Sequence, residues 1–166
     1  MESLRIKFWL KEIVKEDIVV RDYDPDEDDV RSILMDTCRE LASFGEFMVS
    51  GFGQEKWPVD VGTDLSILLE QLPDVISAIN SRRPTEINFY EQGVERNIVF
   101  VPSGENYIAT CESQTMWQPS PETIVIHNTV LKEMLVSVQF TFMIGLEKLS
   151  PSLPKHKWIL EWLMAE

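Results

Sequence analysis

The chain is short of positive charge, of histidine, of cysteine and of long uninterrupted apolar stretches. Its 166 residues hold 15 Lys and Arg against 28 Asp and Glu, for a formal net charge of −13. Phosphate recognition needs clustered Lys and Arg, and the only basic spots are Arg82-Arg83 and Lys155/Lys157. The balance argues against direct nucleic-acid binding and against anionic membrane surfaces. With 2 histidines, His127 and His156, nucleophilic catalysis is thinly supplied. His127 precedes a helix cap and His156 lies in a Pro-flanked basic loop, and neither has an acid and a nucleophile beside it in a known motif. The 2 cysteines, Cys38 and Cys111, match no metal or redox spacing. They read as reduced thiols acting as small buried hydrophobes. No apolar run approaches the ~20 residues that cross a bilayer. Residues Met1 to Lys7 alternate charged and apolar side chains where a signal peptide needs a continuous apolar core. The expectation is a cytoplasmic protein of one domain over residues 1–166, with 150–166 a short helical extension packed on it, and no cofactor.

Motifs that would announce chemistry are also missing. Ser50-Gly51-Phe52-Gly53 lacks the Gly two residues before Ser that a nucleophile elbow requires. It lacks the Lys of a phosphate-binding loop and the third Gly of a dinucleotide loop, and reads as a turn or bulge at a strand end. Asp22, Asp24 and Asp26 match the first three ligand positions of a calcium-binding EF-hand loop. The match then fails, with Glu27 where Gly must turn the loop and Ile33 where a bidentate Glu belongs. A solvated acidic loop that caps a helix is the alternative to a face for a partner. Glu91 and Glu112, near the ends of two expected strands, are the candidate pair for a carboxylate-based hydrolase.

What is present is acidity gathered in one place. Residues 22–80 hold fourteen Asp and Glu against three bases, Arg31, Arg39 and Lys56, and Asp22, Asp24, Asp26, Glu27, Asp28 and Asp29 fall within eight positions. Charge of one sign concentrated in this way costs self-repulsion, and its simplest use is to attract a basic partner.

Periodicity gives the frame. Leu4, Ile6, Phe8 and Leu10 alternate with Arg5, Lys7 and Trp9 as a half-buried strand, and Ile18 to Arg21 reads as a short second one after a Lys15-Glu16-Asp17 turn. From Val30 the apolar positions Ile33, Leu34, Thr37, Cys38 and Leu41 mark a helix, with Asp28 or Asp29 as its cap and Gly45 fitting the position after it. Phe47 to Phe52 reads as a strand. Asp60 or Thr63 starts a second helix through Leu65, Leu68, Leu69 and Leu72, which Pro73 should kink or interrupt. Strands over Thr85–Glu91, Glu95–Val101 and Tyr107–Glu112 follow, joined by connections so short that they demand an antiparallel meander. Residues 113–123 are a polar loop. Asn128 or Thr129 caps a long helix with Leu131, Met134, Leu135, Val138, Phe142 and Leu146 on its buried stripe. Lys155 to Met164 forms a terminal helix. The expected fold is α+β: a mainly antiparallel sheet, N-terminal strands plus a three-stranded meander, with helices packed on one face.

Gly51-Phe52-Gly53, Trp57-Pro58-Val59-Asp60 and Asp64-Leu65, together with Phe89-Tyr90-Glu91-Gln92-Gly93, Cys111-Glu112-Ser113 and Trp117, resemble motifs of a group of small, acidic, single-domain bacterial proteins of unknown biochemistry. Similar domains are taken to be immunity proteins of polymorphic or contact-dependent toxin systems. The resemblance covers roughly residues 45–120 and brings no catalytic residues with it. It implies a bacterial cytosolic setting and a toxin-blocking role. Together with the charge, it sets the expectation of a non-enzymatic binding protein that sequesters a basic toxin domain, possessing no metal site. The candidate steering charges are Asp24, Asp26, Glu27, Asp28 and Asp29, and Trp57 is the candidate buried anchor. A homodimer, or a structural or regulatory subunit of a larger assembly, stays open at this point and would show as an extended apolar patch.

Overall fold

The computed structural model describes residues 3–13 and 21–164. The turn and short strand expected over residues 15–21 fall almost wholly outside the described residues. The fold is α+β, as the periodicity indicates, with two antiparallel sheets.

The first sheet has two strands. β1 (Arg5–Leu10) pairs with β2 (Gly45–Ser50), Ile6 facing Val49 and Phe8 facing Phe47. Between them lies α1 (Val30–Leu41), started by a capping box in which the Asp29 side chain accepts from the helix backbone and Ser32 Oγ accepts from the Asp29 N–H. Its buried face is Ile33, Leu34, Thr37, Cys38 and Leu41. Gly45 does not end this helix. It opens β2, where a Cβ would approach Phe8 to 2.8 Å, so the residue is small because two strands and a ring meet there.

β2 runs into a tight turn in which Gly51, Phe52 and Gly53 all have positive φ (140°, 57° and 91°). The turn ends the pairing with β1, and the meander forms a separate sheet. A π-helical turn (Val61–Leu65) leads into α2 (Ser66–Asn80). Asp60 Oδ1 caps this turn by accepting from the Thr63 N–H at 2.7 Å.

Pro73 does not interrupt α2, which continues through it with the ring buried. Proline removes the N–H that would bond the carbonyl of Leu69, one turn back. The Trp162 indole Nε1–H donates to that carbonyl at 2.9 Å, so the group that proline frees is satisfied from another helix.

The second sheet has four strands in the order β3 (Thr85–Phe89), β4 (Arg96–Ser103), β5 (Asn106–Ser113) and β6 (Thr123–His127). The three-stranded meander expected from sequence thus has a fourth member. β6 alternates Ile124 and Ile126 inward with Val125 outward. The open edge of β3 is covered by a side chain: Gln71 donates to Asn88 O and accepts from the Asn88 N–H, at 2.9 and 2.8 Å, as a further strand would.

α3 (Asn128–Leu149) starts on a cap different from the one expected: His127 Nδ1 accepts from the Thr129 N–H at 3.2 Å. A 3₁₀ turn (Leu153–Lys155) then leads to α4 (Lys157–Met164). α3 packs on β1 and α2, and α4 on α1 and α2. With 22 residues and a mean hydropathy of 1.4 in its most apolar stretch, α3 is long and apolar enough to cross a membrane, by length and composition alone. Scattered Ser, Gln and Thr break the apolar run without lowering the average much. Only 33% of that stretch is buried: Leu131, Leu135, Val138, Phe142, Leu146 and Leu149 fill the core, while Val136, Phe140 and Ile144 are exposed.

Candidate binding site

The acidic loop before α1 is partly neutralised by its own neighbours. Arg21 forks the Asp28 carboxylate at 3.0 and 3.1 Å and donates through Nε to Asp36 at 2.7 Å. Its guanidinium stands 4.4 Å over the Tyr23 ring. The Arg21 hydrogen bond, helped by the Asp24 N–H, holds the Asp28 carboxyl down to about 2. Asp29 caps α1 and pairs with Arg31 at 2.7 Å, and the Arg31 hydrogen bond lowers the Asp29 pKa. Asp24 Oδ1 accepts from the Asp26 N–H at 2.9 Å, a local turn. Asp24, Asp26 and Glu27 are exposed and form no ion pair among the described residues. The five carboxylates expected to act alike therefore divide: Asp28 serves the loop, Asp29 serves the helix, and three face water.

Tertiary structure extends the acidity well beyond that loop. Two adjoining grooves, of ≈ 340 and ≈ 610 Å³, run along the seam between α1, α2 and the start of the meander. The first is lined by Glu27, Asp29, Glu70 and Glu91 with Arg31, the second by Asp29, Glu70, Asp74 and Glu86 with the same Arg31. Six carboxylates from three separate stretches of chain thus surround one basic side chain. Glu70 and Asp74 lie one turn apart on α2, a spacing at which like charges repel. Tyr90 Oη donates to Glu70 at 2.6 Å, and burial together with that carboxylate pushes the phenol up to about 12. Asn97 Nδ2 donates to Glu86 at 3.0 Å.

Trp57 does not lie on this face. It is 1% exposed, its indole N–H donates to Gly51 O at 3.1 Å, and its ring packs against Phe52, Phe89 and Trp117. The expectation of a partner anchor gives way to a core residue, because the left-handed Gly51–Gly53 turn folds the loop back over it.

The most unusual polar group beside it is Arg96, only 3% exposed. Its guanidinium lies 3.6 Å over the Trp117 ring and 4.6 Å from that of Trp57, and Nη1 donates to Gln54 at 2.6 Å. No carboxylate pairs with it among the described residues, and burial lowers its pKa. Two indole faces supply the stabilisation an acid would otherwise give. Sequence reasoning passed over Arg96, although the period-2 register that turns Ile98 and Phe100 inward turns position 96 inward too.

Asp64 sits behind the first groove, 3% exposed. Its Oδ2 accepts from the Asp60 N–H at 2.8 Å, and its Oδ1 has no partner. Burial, aided by the nearby Asp60 and Glu91 charges, raises its pKa to about 6. Glu91 lines the first groove, whereas Glu112 is exposed on β5 opposite Asn97 and lines neither groove. The two carboxylates proposed as a hydrolase pair share neither of these grooves. Among the described residues no group of three or more His, Cys, Asp or Glu is placed to hold a metal ion, and both cysteines are free and buried.

Neither the protein-family models, nor the curated proteins, nor the solved structures contain a match to this chain.

Proposed function

We propose that this chain is a non-enzymatic binding protein that captures a basic protein partner on the α1–α2–β3 face, and that its role is that of an immunity protein neutralising a cognate toxin. The observation that carries the binding reading is the convergence of Glu27, Asp29, Glu70, Asp74, Glu86 and Glu91 around the single cation Arg31. Carboxylates brought together from an N-terminal loop, a helix and a meander, at a cost in mutual repulsion, form a field suited to Lys- and Arg-rich surfaces. Many toxins that act on nucleic acids have such surfaces, since they must hold phosphates. Complementary fields raise association rates toward ~10⁸–10⁹ M⁻¹s⁻¹ at low salt, which suits a protein that must reach a lethal molecule early. The toxin-blocking role rests on this chemistry and on the resemblance of residues 45–120 to immunity-type domains.

The test is co-expression with the variable C-terminal domain of a large secreted protein encoded beside its gene. The reading expects a complex that co-purifies, blocks the toxicity of that domain, and associates more slowly as salt rises. A neighbouring domain that shows no complex, or a complex whose on-rate ignores Glu70→Lys with Glu86→Lys, would sink it.

A further inference from the structure

A second surface lies at the far end of α2 and has a different character. A groove of ≈ 690 Å³ runs between the C-terminal end of α2 and the first half of α3, with Ile79, Val136 and Phe140 as its apolar part and Arg82 and Lys132 at its rim. Phe140 is 65% exposed, and the exposed apolar positions continue along α3 to Val130 and Ile144. At 100° per residue these positions share one stripe, interrupted by Glu133 and Ser137, on the side of the helix opposite Leu131, Leu135, Phe142 and Leu146. Exposed apolar side chains grouped on one side of a helix mark interaction surfaces. Here one side is covered by the core, and the other is covered by none of the described residues.

Charge says what kind of occupant fits. In a protein of net charge −13, this groove carries two bases against the single acid Glu133. Neither Arg82 nor Lys132 forms an ion pair among the described residues; Arg82 only leans over the Tyr107 ring, at 5.9 Å. The grooves at the other end of α2 have the reverse balance. Shape narrows the choice further. Two packed helices with an open channel between them offer ridges and grooves to a third helix, and an amphipathic helix laid in such a channel is a recurrent recognition mode.

We propose that this groove docks an acidic amphipathic helix of a partner protein, its apolar stripe against Val136 and Phe140 and its carboxylates on Arg82 and Lys132. The overall negative charge does not forbid this, since exposed charges more than about 8–10 Å away are largely screened at physiological salt while the rim bases act at contact. The site shares no residue with the acidic face and stands whether or not that face captures a toxin.

The experiment is selection from a displayed library of amphipathic helices whose apolar stripe is fixed and whose flanking positions are free to be Glu, Lys or Ser. Enrichment of Glu at the flanks is expected, with binding lost at least tenfold in Phe140→Asp. In the double variant Arg82→Glu with Lys132→Glu, the selected flanks should switch to Lys. All these positions lie at the surface, and thermal melts of the variants check that the fold is kept. No enriched helix, enrichment indifferent to Phe140→Asp, or basic flanks in the unmodified protein would overturn the proposal. Light scattering that finds a dimer abolished by Phe140→Asp would overturn it in favour of a second copy. Sedimentation with phosphatidylcholine–phosphatidylglycerol vesicles, lost in the same variant, would overturn it in favour of a membrane.

Discussion

Helix α2 contributes to two faces that differ in almost every respect. Its first part, through Asp74, offers Glu70 and Asp74 to a seam of carboxylates, and its C-terminal end offers Ile79 to a groove of mixed lining that holds Val136, Phe140, Arg82 and Lys132. The acidic end is built from solvated groups, some already paired, as Asp29 is with Arg31. Surface pairs of that kind contribute little to stability, and charges placed there act mainly on the rate of encounter. The other end exposes Phe140 and Val136, whose burial would contribute chiefly by removal from water. One helix thus carries a surface suited to fast approach and one suited to slow departure. Both depend on the same buried side of α2, from Leu68 to Ile79.

The sharpest way to break the comparison is to remove what the two ends share. Trp162→Ala empties a core site and strands the Leu69 carbonyl, with an expected loss of about 3–5 kcal/mol in urea unfolding. Trp162→Phe, which keeps most of the ring, should lose about 1–3 kcal/mol, the cost of leaving a buried polar group unpaired. If either variant weakens only one face, the faces do not share a scaffold in the sense described.

Asp64 tests the acidic end from behind. Its native pKa, about 6, lies above the ordinary 3.8, so the folded state holds the proton more tightly than the unfolded chain. The stability it contributes is complete below about pH 3.8 and is lost as pH rises through about 6. Asp64→Asn keeps an acceptor for the Asp60 N–H without the charge. The variant should be more stable than the parent at pH 7, by a margin on the order of 1–3 kcal/mol, and should flatten the stability profile between pH 4 and 6 in denaturant titrations. A profile as steep as the parent's would remove Asp64 from the account.

Smaller effects separate rate from stability. Glu70→Lys with Asp74→Lys should leave unfolding midpoints nearly unchanged while slowing association with a basic partner about tenfold at low salt. Stopped-flow traces at two ionic strengths would show it, and the gap should narrow at the higher one. Arg31→Ala should alter stability least, by about 0.5 kcal/mol or less, and should speed association slightly by unmasking Asp29. A slower on-rate would mean that Arg31 itself touches the partner.

Much of this frame could be read from the chain alone. The apolar stripe from Ile33 to Leu41, the alternation in β1 and the close-spaced meander each carry a local period, and each element formed where the period placed it. β6 was missed because Thr123–His127 is only five residues long, follows a loop with Pro119 and Pro121, and passes directly into α3. Pro73 suggested an interruption, but the helix runs on, and the carbonyl that the proline leaves free is satisfied by a side chain 89 positions away. The acidic loop was legible as composition, but its continuation through Glu70, Asp74 and Glu86 was not, since only tertiary structure joins those positions. Trp57 had no local signal to separate anchor from core; the turn that encloses it depends on Phe52 at a φ of 57°.

The bond between Trp162 and the Leu69 carbonyl also bears on how sequences of this kind can drift. A residue with an N–H at position 73 would claim the carbonyl for itself and make the indole donor dispensable, whereas losing the indole first leaves an orphan in the interior. The two substitutions are therefore tolerated in one order and not the other. Positions 73 and 162 should be inherited as a pair in any descendants of this chain, with proline surviving only where a donor faces it.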